Sequence, residues 1–370
     1  MFRKIKQVTL ASSLLLFSGC AAMPFLNGPQ HKALEAMPGL PPGYLDYSGV
    51  VHVHTLYSHH STGGFDEVVK SAERAHVDFV VITDHDNLRW LKENKEGFHG
   101  DVLVLVGTEL STPAGHLSVF GVENEINIRQ ETRKILKEVQ KSGASSFICH
   151  AQLKLNPWTD WALRPMVTGM EVFNLPAEIY ADGYFKIGLK SFLYSPRHLM
   201  FSYVKRPDAA LKQWDEILVE RKFVGIGAAD AHQRFRFLGV ALDSYDAMFE
   251  TVQTHALAKD FSRQGIFEAF KKGHVYIGFD VVKPIRNFFF EALTAKGRVM
   301  MGESVKFHKG LKLRVFLPEE ARIKVLKNGK EWKSVTGEQW EGEADGFGVY
   351  RVEVYLNDKI WIISNPIYVR

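Results

Sequence analysis

The stretch from residue 51 to residue 87 is the densest in groups that could do chemistry. It reads His52-Val53-His54-Thr55, then Ser58-His59-His60-Ser61-Thr62-Gly63, then Thr83-Asp84-His85-Asp86. Alternate side chains of a β-strand share a face, so His52 and His54 can converge on one atom. A metal ion is the simplest such atom, because neutral imidazole is the commonest biological metal ligand. Read alone, His-x-His fits two surface histidines equally well. Further along the chain, Glu109, His116, His150 and the pair Asp230-x-His232 repeat the same residue types. Singly, His116 and His150 read as hydrogen-bonded core histidines. As a set they point to metal, since buried polar groups are costly unless partnered. Two or three divalent cations such as Zn2+, Mn2+ or Fe2+ would partner imidazoles and carboxylates alike.

These residues need elements to position them. Phe65, Val68, Val69 and Ala72 recur at helical spacing, and a strand over 77–83 follows. Strands are expected over 102–106, 116–121, 145–149, 171–174 and 223–229. Helices are expected over 130–142, 211–221, 245–257 and 265–272. Strands alternating with helices imply a parallel sheet. His85, Glu109, His150 and the Asp230/His232 pair each follow the end of a strand. Parallel strands closed into a barrel would gather those ends at one mouth, which predicts a β/α barrel of about seven or eight units. An open doubly wound sheet is the alternative. Residues 152–210 fit that rhythm poorly and are rich in aromatics, among them Trp158, Trp161, Tyr180 and Tyr203. They read either as a lid over the mouth or as an outlying helical layer. From about Pro284 the pattern becomes short alternating strands, with Lys327-Asn328-Gly329-Lys330 as a hairpin turn. This predicts a small antiparallel β-sandwich.

The chain has 370 residues, enough for two domains, and 46% of them are hydrophobic. Its net charge is +4, and Arg3, Lys4 and Lys6 carry three of those positives, so nothing points to nucleic acid. The same three residues precede a short apolar run over 8–17, as in an export signal. The run ends in Leu16-Phe17-Ser18-Gly19-Cys20, which resembles a bacterial lipobox in which Cys20 would be lipidated. The expected organisation is a signal peptide over 1–19, a tether over 20–47, a barrel over 48–282 and a sandwich over 283–370. Localisation is then the cell envelope, with a lipid anchor on the periplasmic or extracellular side. Cys149 reads as a buried free thiol.

The motifs His52-x-His54-Thr-x-x-Ser, Thr83-Asp84-His85, Glu109 with His116, His150, and Asp230-x-His232 resemble the polymerase-and-histidinol-phosphatase (PHP) family. The C-terminal run around Trp361 to Val369 is similar to an exported subgroup related to carbaryl-type carbamate hydrolases. The resemblance implies a distorted (β/α)7 barrel with a two- or three-metal site. It sorts the ligands into His52, His54, Glu109 and Asp230 for a first ion. Glu109 as bridge with His116 and His150 would hold a second, and His59, His85 and His232 a third. His59 departs from the family's aspartate at that position, and His60 is its rival. Glu109, Asp230 and Asp84 are the expected catalytic carboxylates. Asp84 would orient an imidazole through its other nitrogen, or else cap a helix. Lys154, Arg197, Arg234 and Arg236 are candidate phosphate or leaving-group contacts.

The leading expectation is a metal-dependent phosphoesterase in which a metal-bridging hydroxide attacks phosphorus. The expected partner is a small-molecule ester substrate, phosphorylated in this leading reading. A carbamate or carboxylic ester hydrolase on the same metals is the second reading. A non-catalytic surface protein with structural metals is the third, and the absence of a cysteine cluster argues against it.

Overall fold

The computed structural model describes residues 40–370 apart from Leu238, Gly239 and Lys296. The expected signal peptide, Cys20 and most of the expected tether lie outside the described residues. The described part belongs to one compact unit, Ala33–Arg370. Among the described residues no helix is long and apolar enough to cross a membrane.

The fold is mixed α/β and is built on two large sheets. The first runs in spatial order from Gly97–His99 through Val102–Val106, Phe79–Ile82, Leu45–Val53, Gln253–Ala258 and Val275–Gly278. It continues through Lys359–Ser364, Gly348–Leu356, Lys312–Lys327 and Phe289–Thr294 to Gly297–Met300. The second sheet orders Thr108–Thr112, Gly115–Phe120, Ser145–Ile148, Gly169–Asn174 and Val224–Ala228. Two isolated parallel bridges join the sheets, Val53 with Ala231 and His85 with Glu109. The sheets do not close into the expected ring of parallel strands; they are two open sheets joined at these bridges and by flanking backbone hydrogen bonds such as Ala229 to Val51 and Gly107 to Ile82.

Two local departures explain the difference. The expected helix over 245–257 is a short helix, Tyr245–Phe249, followed by the strand Gln253–Ala258. That strand is wholly buried and pairs antiparallel with both Leu45–Val53 and Val275–Gly278. Long-range pairing decides the conformation of an apolar run whose local period is ambiguous. Glu109, expected just past a strand, instead lies on Thr108–Thr112, a strand that pairs antiparallel with Gly115–Phe120.

The parallel strands are buried on both faces, which is why they read as unbroken apolar runs. Val80, Ile82, Val104 and Val106 pack into one core with Val68 and Ala72 of the helix Phe65–Arg74. Phe79, Val81, Leu103 and Leu105 pack into another with Ile266 and Phe270 of the helix Arg263–Lys272. In the C-terminal layer the Asn328-Gly329 turn joins Lys312–Lys327 to Lys330–Glu343, with φ of 51° and 76° at its two residues. Both values suit the left-handed turn that matches strand twist. Residues 152–210 carry the 3-10 helix Trp161–Met166 and the α-helices Leu175–Ala181, Tyr184–Leu193 and Pro196–Ser202, and the helix Asp208–Glu220 begins at their end.

Candidate metal centre

The residues singled out in the sequence meet where the two sheets touch. Glu109 is buried at the middle of the group. Its Oε2 lies 3.1 Å from His52 Nε2, 3.1 Å from His54 Nε2 and 3.3 Å from His85 Nδ1. Its Oε1 lies 2.8 Å from His116 Nδ1 and 3.1 Å from His150 Nε2. Asp230 Oδ1 stands 3.5 Å and 3.6 Å from the Nε2 atoms of His52 and His54, and 3.3 Å from His232 Nδ1.

Backbone strain places three of these side chains. His52, His150 and Asp230 have φ of 64°, 28° and 48°, in the left-handed region that non-glycine residues seldom adopt. His52 occupies an irregularity in the pairing between Val51 and Val53, and His54 follows the end of the strand. The two histidines therefore converge through a bulge rather than through simple strand alternation. Strain of this kind, at about 1–3 kcal/mol per residue, persists only where the surroundings impose it.

Hydrogen bonds fix the ring tautomers. His52 Nδ1 lies 2.6 Å from Glu171 Oε1, and a carboxylate can only accept, so Nδ1 carries the proton. His232 Nδ1 likewise donates to the Asp230 carbonyl at 2.9 Å. Ser58 donates its hydroxyl to Asp84 Oδ1 at 2.6 Å and accepts from His54 Nδ1 at 2.9 Å. With Nδ1 as the donor, the neutral form of each ring presents Nε2 as its lone pair. These three Nε2 atoms, together with His85 Nδ1, are buried and have no hydrogen-bond partner.

The donor set fits divalent metal. Two ligand atoms bound at about 2.1 Å to one ion stand about 3.0 Å apart at a right angle and about 3.4 Å apart at the tetrahedral angle. The spacings from Glu109 to His52, His54, His85 and His150, 3.1–3.3 Å, fall in that range, while His116 at 2.8 Å is a hydrogen-bond distance. His52, His54 and Asp230 form one compact group of donor atoms, His85, Glu109 and His116 a second, and His54, His85 and His232 a third. Electrostatics divide the rings. Burial would lower His52, and Asp230, Glu171 and Glu109 override it to hold that ring well above its ordinary value, while Glu109 raises His150 in the same way. Burial, with His232 beside it, holds His54 well below its ordinary value. Burial with His232 and His85 pushes His60 down to about 3, so both rings are neutral donors at pH 7. Burial would raise the Glu109 carboxyl, and His52 together with the other imidazoles overrides it to hold Glu109 well below the usual range.

His60, not His59, reaches the group. His60 Nε2 lies 3.2 Å from His85 Nε2, and its ring stacks on that of His232 with centroids 4.5 Å apart. His59 is exposed and touches His60 from outside, Nε2 to Nδ1 at 3.1 Å. Asp84 touches none of the converging nitrogens directly. It is buried under the first loop, where it accepts from the Thr55 amide at 2.7 Å, Ser58 and the Trp90 indole at 3.0 Å. Its influence on His54 passes through Ser58.

Glu171 was missed. Besides His52 it accepts from the His150 amide at 2.9 Å and from Asn174 Nδ2 at 2.8 Å, and Asn174 also donates to Asp230 at 3.1 Å. The available signal was a lone carboxylate in the otherwise uncharged buried strand Gly169–Asn174.

A cavity of about 460 Å3 opens above the group. Of the expected phosphate contacts, Arg234 lines it. Arg197 instead pairs with Glu250 at 3.0 Å, and Lys154 is exposed and does not line the cavity, although its neighbours Leu153 and Leu155 do. Arg236 lies in the short strand Arg236–Phe237, and its side chain falls outside the described residues. Helices of the 152–210 segment do border the cavity, through Ile179, Ile187 and Met200. Trp158 and Tyr203 are buried in the core beside them.

Residues 51–182 match the PHP domain. The match covers the first loop, Glu109, His116, His150 and Glu171, and ends before Asp230 and His232. No curated protein matches the chain. Among solved structures, one similar to it is a two-domain protein from Bacteroides vulgatus containing a predicted PHP-like metal-dependent phosphoesterase. That pair is 17% identical over 88% of this chain and 96% of the other, with a TM-score of 0.47. Another is Endonuclease Q in complex with a duplex bearing an abasic lesion, 14% identical over 61% of this chain and 57% of that one, with a TM-score of 0.38.

Proposed function

We propose that the protein is a metal-dependent phosphoesterase. The observation that carries this reading is the set of buried imidazole nitrogens, without hydrogen-bond partners, that converge on Glu109 and Asp230. The PHP match over residues 51–182 supports it. His52, His54, Glu109 and Asp230 would hold one ion, and Glu109, His116 and His150 a second. His85, His232 and His60 would hold a third, His60 taking the place first given to His59. When bound, such ions polarise phosphoryl oxygens and lower the pKa of a water to about 7, which supplies a nucleophile at neutral pH.

The chain's own residues prepare that chemistry. Glu171 and the Asp84–Ser58 pair hold His52 and His54 with Nε2 facing inward. Arg234, which lines the cavity, would meet a phosphate oxygen. Lipidation at Cys20, supported by the lipobox pattern, would keep the enzyme at a membrane surface in the cell envelope.

The test is a rate assay on protein loaded with Mn2+ or Zn2+, against an aryl phosphomonoester, an aryl phosphodiester and an aryl carbamate. Phosphoester turnover that chelation abolishes is expected, and Glu109→Ala should lose it by at least about a thousandfold. Turnover of the carbamate alone would move the protein to the carbamate-hydrolase reading. Metal-independent turnover would overturn the proposal.

A further inference from the structure

The cavity above the metal centre is two-faced. Its floor is the His and acid group, and its walls are aliphatic. Ile179, Ile187, Leu199, Met200, Leu242 and Met248 line it, and Tyr180 brings an aromatic ring from the 152–210 segment. That segment is rich in aromatics in sequence, yet Trp158 and Tyr203 turn into the core, so the wall presents mainly branched and flexible aliphatic groups. The polar side chains above the floor include Asn156, Ser191, Arg234 and Asp243, and Ser191 already donates to the Ile187 carbonyl at 2.7 Å. Asp243, one of them, is already committed to the backbone amides of Arg234 and Phe235, each at 2.8 Å.

Apolar surface continues outward. Leu155 lines the cavity and is 74% exposed, which puts it at the mouth. The helix Tyr184–Leu193 gives Ile187 and Gly188 to the cavity wall, while its Leu189, Phe192 and Leu193 face solvent. Phe192 is 72% exposed. Exposed apolar side chains clustered at the entrance of an apolar cavity mark a binding surface rather than scatter.

We infer that the substrate is an amphiphilic phosphoester whose organic part is a long saturated chain. The phosphate sits at the His and acid floor, the chain runs along the aliphatic walls, and its far end leaves past Leu155 and the exposed helix. A sugar or nucleoside in the same place would set most of its hydroxyls against aliphatic side chains, with few polar partners such as Asn156 and Ser191, at a desolvation cost. The cavity volume is that of a site for a drug-sized ligand. This inference rests on the phosphoesterase reading for its phosphate end, and on the cavity alone for its chain.

The experiment separates the two. Non-hydrolysable alkyl phosphonates and the matching alcohols, from two to twelve carbons and below micelle-forming concentrations, are titrated calorimetrically into full-length protein. Both Mn2+-loaded and metal-stripped samples are used. Affinity is expected to rise about threefold to fourfold per methylene in both series. Leu155→Asp and Ile187→Gln should each flatten that slope, weakening the dodecyl ligands by about tenfold. Leu155 is exposed, so its variant retains the fold. Affinity that does not change with chain length would overturn the inference, whatever the phosphonate does. A chain-length slope with no metal-dependent gain of phosphonate over alcohol would overturn the phosphoester end and with it the proposed function, leaving a site for an alkyl ligand.

Discussion

At the scale of single residues, the first loop decides which histidines matter. Two adjacent residues, His59 and His60, offer the same group, and the loop turns His60 inward against His85 and His232. His60→Ala should therefore remove one bound ion per chain, while His59→Ala should retain the full complement, as read by metal content after dialysis. Loss of an ion from His59→Ala alone would reverse the assignment. Glu171 acts one bond further out. Glu171→Gln keeps the shape but replaces a full charge on His52 Nδ1–H with a neutral acceptor. It should weaken metal binding by about 10- to 100-fold in a competition titration. Unchanged affinity would reduce Glu171 to a structural partner of His150 and Asn174.

At the scale of elements, a second buried charged group ties the central strands together away from the metal centre. His255 on Gln253–Ala258 lies between Asp46 Oδ1 at 3.2 Å and Asp280 Oδ2 at 3.1 Å. Tyr276 donates to Asp46 at 2.6 Å, and the Asn287 amide does so at 2.6 Å. Burial alone would lower the His255 pKa, but Asp280 and Asp46 override it and push it up to about 9. Its folded value is thus above its unfolded one. The stabilisation is complete below about pH 6.5 and is lost as pH rises through about 9. For Asp46 burial acts upward and His255 overrides it, holding the carboxyl below 3.8, so its contribution is present above about pH 3.8 and fades below. Thermal melts should show stability falling between pH 6.5 and 9, and His255→Gln should remove that decline. A wild-type melting temperature that does not fall across this range would contradict the coupling.

At the scale of the whole molecule, the C-terminal strands are part of the scaffold that carries the site. Lys359–Ser364 pairs with Val275–Gly278, so one sheet crosses the boundary expected at residue 282. Asn365 accepts from the Gly225 amide at 2.9 Å and donates to the Gly225 and Val275 carbonyls at 2.8 and 2.7 Å. Gly225 belongs to Val224–Ala228, the strand that presents Asp230 and His232. Arg351, fully buried, pairs with Asp215 of the helix Asp208–Glu220 at 2.6 Å and with Glu353 at 2.7 Å. A fragment ending at residue 282 would expose Ile277 and leave Asp215 without its guanidinium. It should show no cooperative unfolding by circular dichroism. A fragment that melts like the full chain would show that the C-terminal strands are dispensable.

What was legible in the sequence by itself is the donor set: His52, His54, His85, Glu109, His116, His150, Asp230 and His232 are of types that together suit a divalent cation, and the structure brings them together. Residue type and the ends of apolar runs suffice for that, because burial of so many polar groups demands a partner. Tertiary structure alone decided the rest. Whether 253–258 is helix or strand depends on partners distant in the chain. Glu171 was silent because its role exists only once His52 lies beside it. The choice of His60 over His59 turns on the path of a loop whose two histidines are chemically identical. The aliphatic wall of the cavity was hidden in an aromatic-rich segment, since composition does not say which side chains face inward. Each of these depends on contacts between residues far apart in the chain, which local pattern does not encode.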